Sequence, residues 1–165
     1  MEDPLNGRLA VVLVRPAGAG NIGSVARAMK NTGFHELVLV NPMDFRNEEA
    51  YRMAVHSGEI LDRARVTGHL EEALADRHVV FGVTARSRHK RPRLPPLEAA
   101  EMIMGLLGRG HDVALVFGPE DFDAFTKTDP EAAIVVVRNI AHTLAQRLRD
   151  KDEDALIMHG GMTRS

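Results

Sequence analysis

The stretch Gly18-Ala-Gly-Asn-Ile-Gly-Ser-Val-Ala-Arg-Ala-Met-Lys-Asn31 joins a predicted strand to a predicted helix. The strand is the apolar, β-branched run Leu9 to Val14, which is typical of a strand buried on both faces. The helix is predicted over Asn21 to Asn31, with Gly33 placed to end it. A strand, a glycine-rich turn and a helix in this order predict the opening unit of an α/β fold.

Three glycines of this stretch stand at the spacing G-x-G-x-x-G: Gly18, Gly20 and Gly23. That spacing is the fingerprint of dinucleotide-binding folds, in which the first glycine directly follows the strand. Here Arg15-Pro16-Ala17 intervene, and the second strand ends in Asn41-Pro42 instead of an acidic residue. Both departures weigh against a nucleotide-binding oxidoreductase. The spacing also fits a simple turn in which Asn21 is the N-cap of the helix.

The remaining chain alternates apolar runs with helical stretches. Further strands are predicted at Glu36 to Asn41, Ala64 to Thr67, His78 to Thr84 and Asp112 to Gly118. Further helices are predicted at Arg46 to His56, Leu70 to Asp76, Leu97 to Leu107 and Glu131 to Arg149. This alternation predicts an α/β fold with a parallel sheet and helices on both faces.

Composition restricts the class of protein. The chain has 165 residues, a net charge of -2, 44% hydrophobic residues and no cysteine, so disulfides, thiol catalysis and zinc-thiolate sites are excluded. No apolar run is long enough to cross a bilayer, and no histidine or carboxylate cluster has metal-ligand spacing. We therefore expect a cytoplasmic protein without a metal, whose contact with nucleic acid is local.

In a parallel sheet, ligands bind at the carboxyl ends of the strands. The segments predicted to lie there are Arg15 to Gly23, Asn41 to Asp44, Thr84 to Arg93 and Gly118 to Asp121. The third segment is strongly basic and contains Arg86, Arg88, Lys90, Arg91 and Arg93. On an acidic chain this run predicts binding to an RNA phosphate backbone, although a solvated loop is the other reading of such a charge run. The run has no aromatic residue, so it predicts affinity without sequence readout.

Three motifs resemble the SPOUT-class (SpoU/TrmH) RNA ribose 2′-O-methyltransferases, and among them the TrmJ-type tRNA enzymes. The first runs from Leu13 to Phe34 and continues through Leu37-Val-Leu-Val-Asn-Pro42. The second is Thr84-Ala-Arg-Ser-Arg88, and the third is Val113-Ala-Leu-Val-Phe-Gly-Pro-Glu120. The resemblance implies a trefoil-knotted α/β fold, S-adenosylmethionine as methyl donor, a homodimer and an RNA substrate, most simply tRNA.

The resemblance also implies roles for particular residues. It gives Arg27 a direct part in methyl transfer. Because arginine stays protonated at ordinary pH, we expect Arg27 to position and stabilise the 2′-oxygen. Asn21 is expected to hold the loop and to contact substrate or Arg27. The S-adenosylmethionine cleft is expected to be lined by Thr84, Ala85, Gly118 and Glu120.

The chain departs from the family pattern after Glu120. The Gly-Leu turn, the strand ending in Ile-Pro and the Ser-Leu-Asn helix start are absent, about 30 residues that build the knot. Two explanations stand: the sequence omits a segment that the natural protein has, or the deletion is real. We favour the first, because losing a core strand would expose apolar surface. The expected organisation is an incomplete methyltransferase domain over 1–125 and a C-terminal helical extension over 126–165.

Three functions remain open from the sequence. The first is S-adenosylmethionine-dependent methyl transfer to a ribose 2′-hydroxyl of tRNA, which Asn21, Arg27 and Glu120 favour. The second is a non-catalytic RNA-binding dimer of SPOUT type, which the absent later motifs favour. The third is a nucleotide-binding oxidoreductase, against which the end of the second strand counts.

Overall fold

The structure, a computed structural model, describes residues 7–83 and 94–119. It contains one five-stranded parallel sheet with the order β3-β2-β1-β5-β4. The strands are β1 Leu9–Val14, β2 Glu36–Val40, β3 Arg65–Thr67, β4 Val79–Val83 and β5 Val113–Phe117. The helices are α1 Ala19–Asn31, α2 Glu48–Ala54, α3 Gly58–Arg63, α4 Leu70–Leu74 and α5 Pro96–Gly108.

Strand β1 lies at the centre of the sheet, and its side chains alternate between two apolar layers. Leu9, Val11 and Leu13 face the layer that α1, α2, α3 and α5 help to build. Ala10 and Val12 face the opposite layer, to which α4 contributes. A strand buried on both faces has no polar positions, which explains the continuous apolar run of β1. The predicted parallel sheet with helices on both faces is therefore confirmed.

The limits of several elements differ from the prediction. Helix α1 begins at Ala19, two residues before the predicted start. The helix predicted over Arg46 to His56 is shorter, because Asn47 caps α2 by accepting a hydrogen bond from the Ala50 N–H, and Val55 ends it with a φ of 43°. The sequence pattern does not predict α3, whose six residues are too few to show a helical period.

The knot, the boundary between 125 and 126 and the helix predicted over Glu131 to Arg149 all lie outside the described residues. The two predicted domains therefore stay predictions.

At the amino edge of the sheet, Arg77 ties the start of β1 to the start of β2. Its side chain is 3% exposed, donates to the carbonyl oxygens of Gly7 and Arg8, and forms an ion pair with Glu36. Burial raises the pKa of Glu36 above its ordinary value, and the charge of Arg77 acts against this shift. The buried guanidinium thus provides hydrogen-bond and ionic partners for two carbonyl oxygens before β1 and for the carboxylate at the start of β2.

Arg77→Met is expected to lower the free energy of unfolding by about 3 kcal/mol, because it leaves the half-buried Glu36 and two carbonyls without their donor. The loss should grow as pH rises from 4 to 7. A carboxyl whose folded pKa is raised favours the folded state while protonated, and Arg77 is what offsets this in the native chain. Urea unfolding at several pH values measures both effects.

Arg63→Met is the matched control, since Arg63 is an exposed arginine at the end of α3. It should change stability by less than about 0.5 kcal/mol. Equal stability of the two variants would contradict the role given to Arg77.

Candidate functional site

The carboxyl ends of β1 and β2 leave the sheet in the same way. Arg15 and Asn41, the first residues after these strands, have φ angles of 46° and 47°. The Arg15 N–H donates to the Val40 carbonyl at 2.8 Å, and the Asn41 N–H donates to the Thr67 carbonyl at 2.8 Å. Each exit is thus fixed by the neighbouring strand, which places both residues at the edge where such sheets bind ligands.

The turn from β1 into α1 is short and internally bonded. Gly18 precedes the helix with a φ of 85°, a conformation that favours glycine. Its N–H donates to the thioether of Met43, with the nitrogen 3.1 Å from Sδ. The Asn21 side chain reaches back from the first turn of α1, and its Nδ2 donates to the Ala17 carbonyl at 3.0 Å. Met43 comes from the loop after β2, and no sequence motif points to its contact.

The other two glycines of the fingerprint face α2. A Cβ at Gly23 would lie 2.1 Å from the Ala50 carbonyl oxygen, so only glycine permits this approach of two backbones. A Cβ at Gly20 would lie 2.9 Å from Glu49 Oε1, the flexible end of an exposed side chain. Gly23 therefore serves helix packing, and Gly20 gives room to Glu49.

This geometry corrects one alternative from the sequence. Asn21 is not the N-cap, because α1 begins at Ala19 after Gly18 and receives no side-chain cap. The glycines divide between one turn position and two helix contacts, and each has a reason in the fold without any nucleotide.

Arg27 lies two turns into α1 and is exposed. Among the described residues its guanidinium has no hydrogen bond and no ion pair. Asn21 lies six residues earlier, about 9 Å along the axis and about 120° around it. The described contacts join Asn21 to the loop and do not join it to Arg27. The helix thus offers a free guanidinium on a rigid support, able to bind an oxyanion.

Most other predicted site residues fall outside the described ranges. Gly118 follows β5 at the carboxyl edge and is half-buried. Thr84, Ala85 and Glu120, predicted to bind the cofactor, lie outside the described residues, as do Arg86, Arg88, Lys90 and Arg91, predicted to bind RNA.

The far end of α1 is held by ionic contacts. Lys30 donates to the His56 carbonyl at 2.5 Å and pairs with Glu59 at 2.6 Å. The hydrogen bond from Lys30 lowers the pKa of Glu59. Tyr51 donates to Asp62 at 2.6 Å, and this bond raises the pKa of the phenol. The Lys30 contacts join α1 to the α2–α3 segment and so support the helix that carries Arg27, whereas the Tyr51–Asp62 bond joins α2 to α3.

Within residues 7–83 and 94–119, no group of three acidic, histidine or cysteine side chains is arranged to hold a metal. The same ranges contain no helix with the length and apolar character needed to cross a membrane.

Residues 8–124 match the profile of the SpoU rRNA Methylase family. The tRNA (cytidine/uridine/adenosine-2′-O-)-methyltransferase TrmJ of Pseudomonas aeruginosa is 47% identical over 114 residues, which are 68% of this chain and 44% of that protein. The tRNA (cytidine-2′-O-)-methyltransferase TrmJ of Methanocaldococcus jannaschii is 41% identical over 117 residues, 68% of this chain and 50% of that protein. The crystal structure of TrmJ from Z. mobilis superposes with a TM-score of 0.69 at 30% identity, covering 83% of this chain and 68% of that one.

The parallel sheet and its glycine turn define an α/β protein with the fold of SpoU-type methyltransferases. The chain belongs to the SpoU rRNA Methylase family. It spans about half the length of the curated relatives named above.

Gly23→Ala is expected to lower the free energy of unfolding by about 1–3 kcal/mol in the absence of any ligand, because the new methyl meets the Ala50 carbonyl. The loss should appear although replacing a helical glycine otherwise gains about 1 kcal/mol. Urea unfolding followed by circular dichroism measures it.

Gly108→Ala is the matched control, since Gly108 is also helical and has open space around it. It should be neutral or stabilising by about 0.5 kcal/mol. If Gly23→Ala behaved like this control, the packing role of Gly23 would be wrong.

Proposed function

We propose that this protein transfers a methyl group from S-adenosylmethionine to a ribose 2′-hydroxyl of tRNA, acting in the cytoplasm as a homodimer. Membership of a methylase family supports methyl transfer, and the names of two relatives support tRNA as the substrate. The observation in this structure that carries the proposal is Arg27, an exposed guanidinium without a described partner, on a helix fixed at both ends.

Arg27 suits a role at the developing 2′-oxyanion. Its guanidinium presents several N–H donors in a fixed plane and stays charged, so it orients and stabilises an oxygen that gains negative charge. Bound S-adenosylmethionine would supply the methyl group to the 2′-oxygen, its sulfur would keep the electron pair of the broken bond, and the hydroxyl proton would pass to water. A permanently protonated arginine is no proton acceptor, so Arg27 contributes positioning and charge.

The described part of the carboxyl edge fits an adenosyl donor at Gly118. This glycine follows β5 directly after Phe117 and puts half-buried backbone at the edge without a side chain of its own. S-adenosylmethionine supplies an electrophilic methyl group when bound. We assign Thr84, Ala85 and Glu120 to the same cleft, because each follows a strand whose carboxyl end lies at this edge.

The predicted RNA contacts follow β4. By register Val83, the last residue of β4, lies level with Phe117, and Phe117 lies level with Leu13. The last described residue of β4 therefore lies level with the end of β1, just before the glycine turn. We assign Arg86, Arg88, Lys90 and Arg91 to the tRNA backbone.

Incubation of the chain with tritium-labelled S-adenosylmethionine and unfractionated tRNA is expected to give labelled tRNA, and nuclease digestion should yield a 2′-O-methylated nucleoside. Arg27→Lys should reduce the rate at least about 10-fold, because lysine keeps the charge and loses the planar pair of donors. Arg63→Lys, an exposed exchange at the end of α3, should leave the rate unchanged. Equal rates for Arg27→Lys and the native chain would contradict the role of Arg27.

A non-catalytic RNA-binding protein is the second candidate, favoured by the absence of the family's later motifs after Glu120. Filter binding of tRNA, measured beside this assay, separates the two functions: tRNA binding without methyl transfer at any donor concentration would support the second candidate.

The double variant Arg86→Ala, Arg88→Ala is expected to weaken tRNA binding and to flatten its dependence on salt. Each lost phosphate contact should reduce the slope of log K against log salt by about 0.7–0.9. A filter-binding titration at several KCl concentrations measures the slope, and an unchanged slope would contradict this assignment.

A further inference from the structure

Arg15 has a left-handed backbone conformation directly after β1, and no contact of its side chain within the described residues explains why an arginine stands there. It follows β1, the central strand, and its backbone lies in the left-handed region at a φ of 46°. The equivalent exit from β2 uses Asn41, a residue type several-fold enriched in that region. Arginine has no such preference, so this position favours asparagine or glycine on conformational grounds.

The Arg15 side chain makes no stabilising contact with the described part of the fold. It is exposed, and among residues 7–83 and 94–119 its guanidinium has neither a hydrogen bond nor an ion pair. The contact that fixes the exit is made by its backbone N–H to Val40, which any residue except proline provides. Arginine is thus unfavourable at this position and makes no side-chain contact within the described residues. This combination indicates a role outside the fold.

The position of Arg15 indicates the kind of ligand. Leu13 and Val83 both lie level with Phe117, so β4 ends at the height of β1, two strands or about 10 Å away. The sequence continues from β4 into the predicted basic run, and Arg27 stands on the helix that follows Arg15. Arg15 thus adds a cation at the carboxyl edge to those that the proposed function already assigns to RNA.

We propose that Arg15 binds a backbone phosphate of the RNA substrate at the centre of the carboxyl edge, as an anchor separate from the basic run after β4. This inference rests on the proposed function. The guanidinium pairs with two phosphate oxygens, and the rigid exit from β1 fixes where that phosphate lies relative to Arg27.

The test is a fluorescence titration of the full chain with labelled unfractionated tRNA over a range of KCl concentrations. Arg15→Asn removes the charge with a residue that suits the left-handed backbone, so the melting temperature should be unchanged or higher. Affinity should fall about five- to eightfold at 0.1 M KCl, and the salt slope should drop by about 0.7–0.9, the share of one phosphate contact. Arg15→Lys should keep the slope.

Arg109→Asn is the matched control, because Arg109 is exposed, follows α5 at the opposite edge of the sheet and carries the same charge. It should change neither affinity nor slope. If Arg15→Asn binds like Arg109→Asn, or if Arg15→Lys loses as much slope as Arg15→Asn, the phosphate contact is wrong while the proposed function stands. If the native chain binds no tRNA, the RNA substrate of the proposed function fails, and this inference fails with it.

Discussion

The close approach of α2 to α1 at Gly23 is the constraint on which the candidate site depends. Because Gly23 has no side chain, the Ala50 carbonyl oxygen comes close to the backbone of α1, and α2 packs against α1 at this point. This places the loop before α2 where Met43 accepts the Gly18 N–H. Two hydrogen bonds thereby fix the turn after β1: one to Met43 in the loop after β2, and one from Asn21 to the turn's own Ala17 carbonyl. Arg27 remains exposed on a helix that cannot shift without breaking these contacts.

The arginine side chains on the two sides of the sheet differ in burial and in partners. At the amino edge, the Arg77 side chain is buried, paired with Glu36 and hydrogen-bonded to two carbonyl oxygens. Its guanidinium is therefore occupied by partners within the fold. Arg15 at the carboxyl edge and Arg27 two turns into α1 are exposed and have no partner among the described residues. A buried, satisfied cation stabilises structure, whereas a free cation on a rigid support is available to a ligand. This contrast agrees with ligand binding at the carboxyl ends of parallel strands.

The sequence predicted the sheet well because burial on both faces leaves a direct trace in composition, as in the unbroken apolar run of β1. It predicted α1 but began it at Asn21, since a glycine pair is a poor sign of helix and the cap is a turn glycine. It missed α3, whose stability comes from Ile60 and Leu61 in the core and not from a local pattern. The structural roles of the three glycines could not be predicted, because spacing along the chain does not say which residues each glycine faces in the fold. The Met43 contact and the left-handed exit at Arg15 were hidden for the same reason.

We infer that the glycine turn is a packing element of a methylase-family fold and does not cradle a dinucleotide. Calorimetric titration of the chain with NAD and with S-adenosylmethionine tests it most directly. We expect saturable binding of S-adenosylmethionine and no binding heat with NAD. Saturable binding of NAD alone would contradict it.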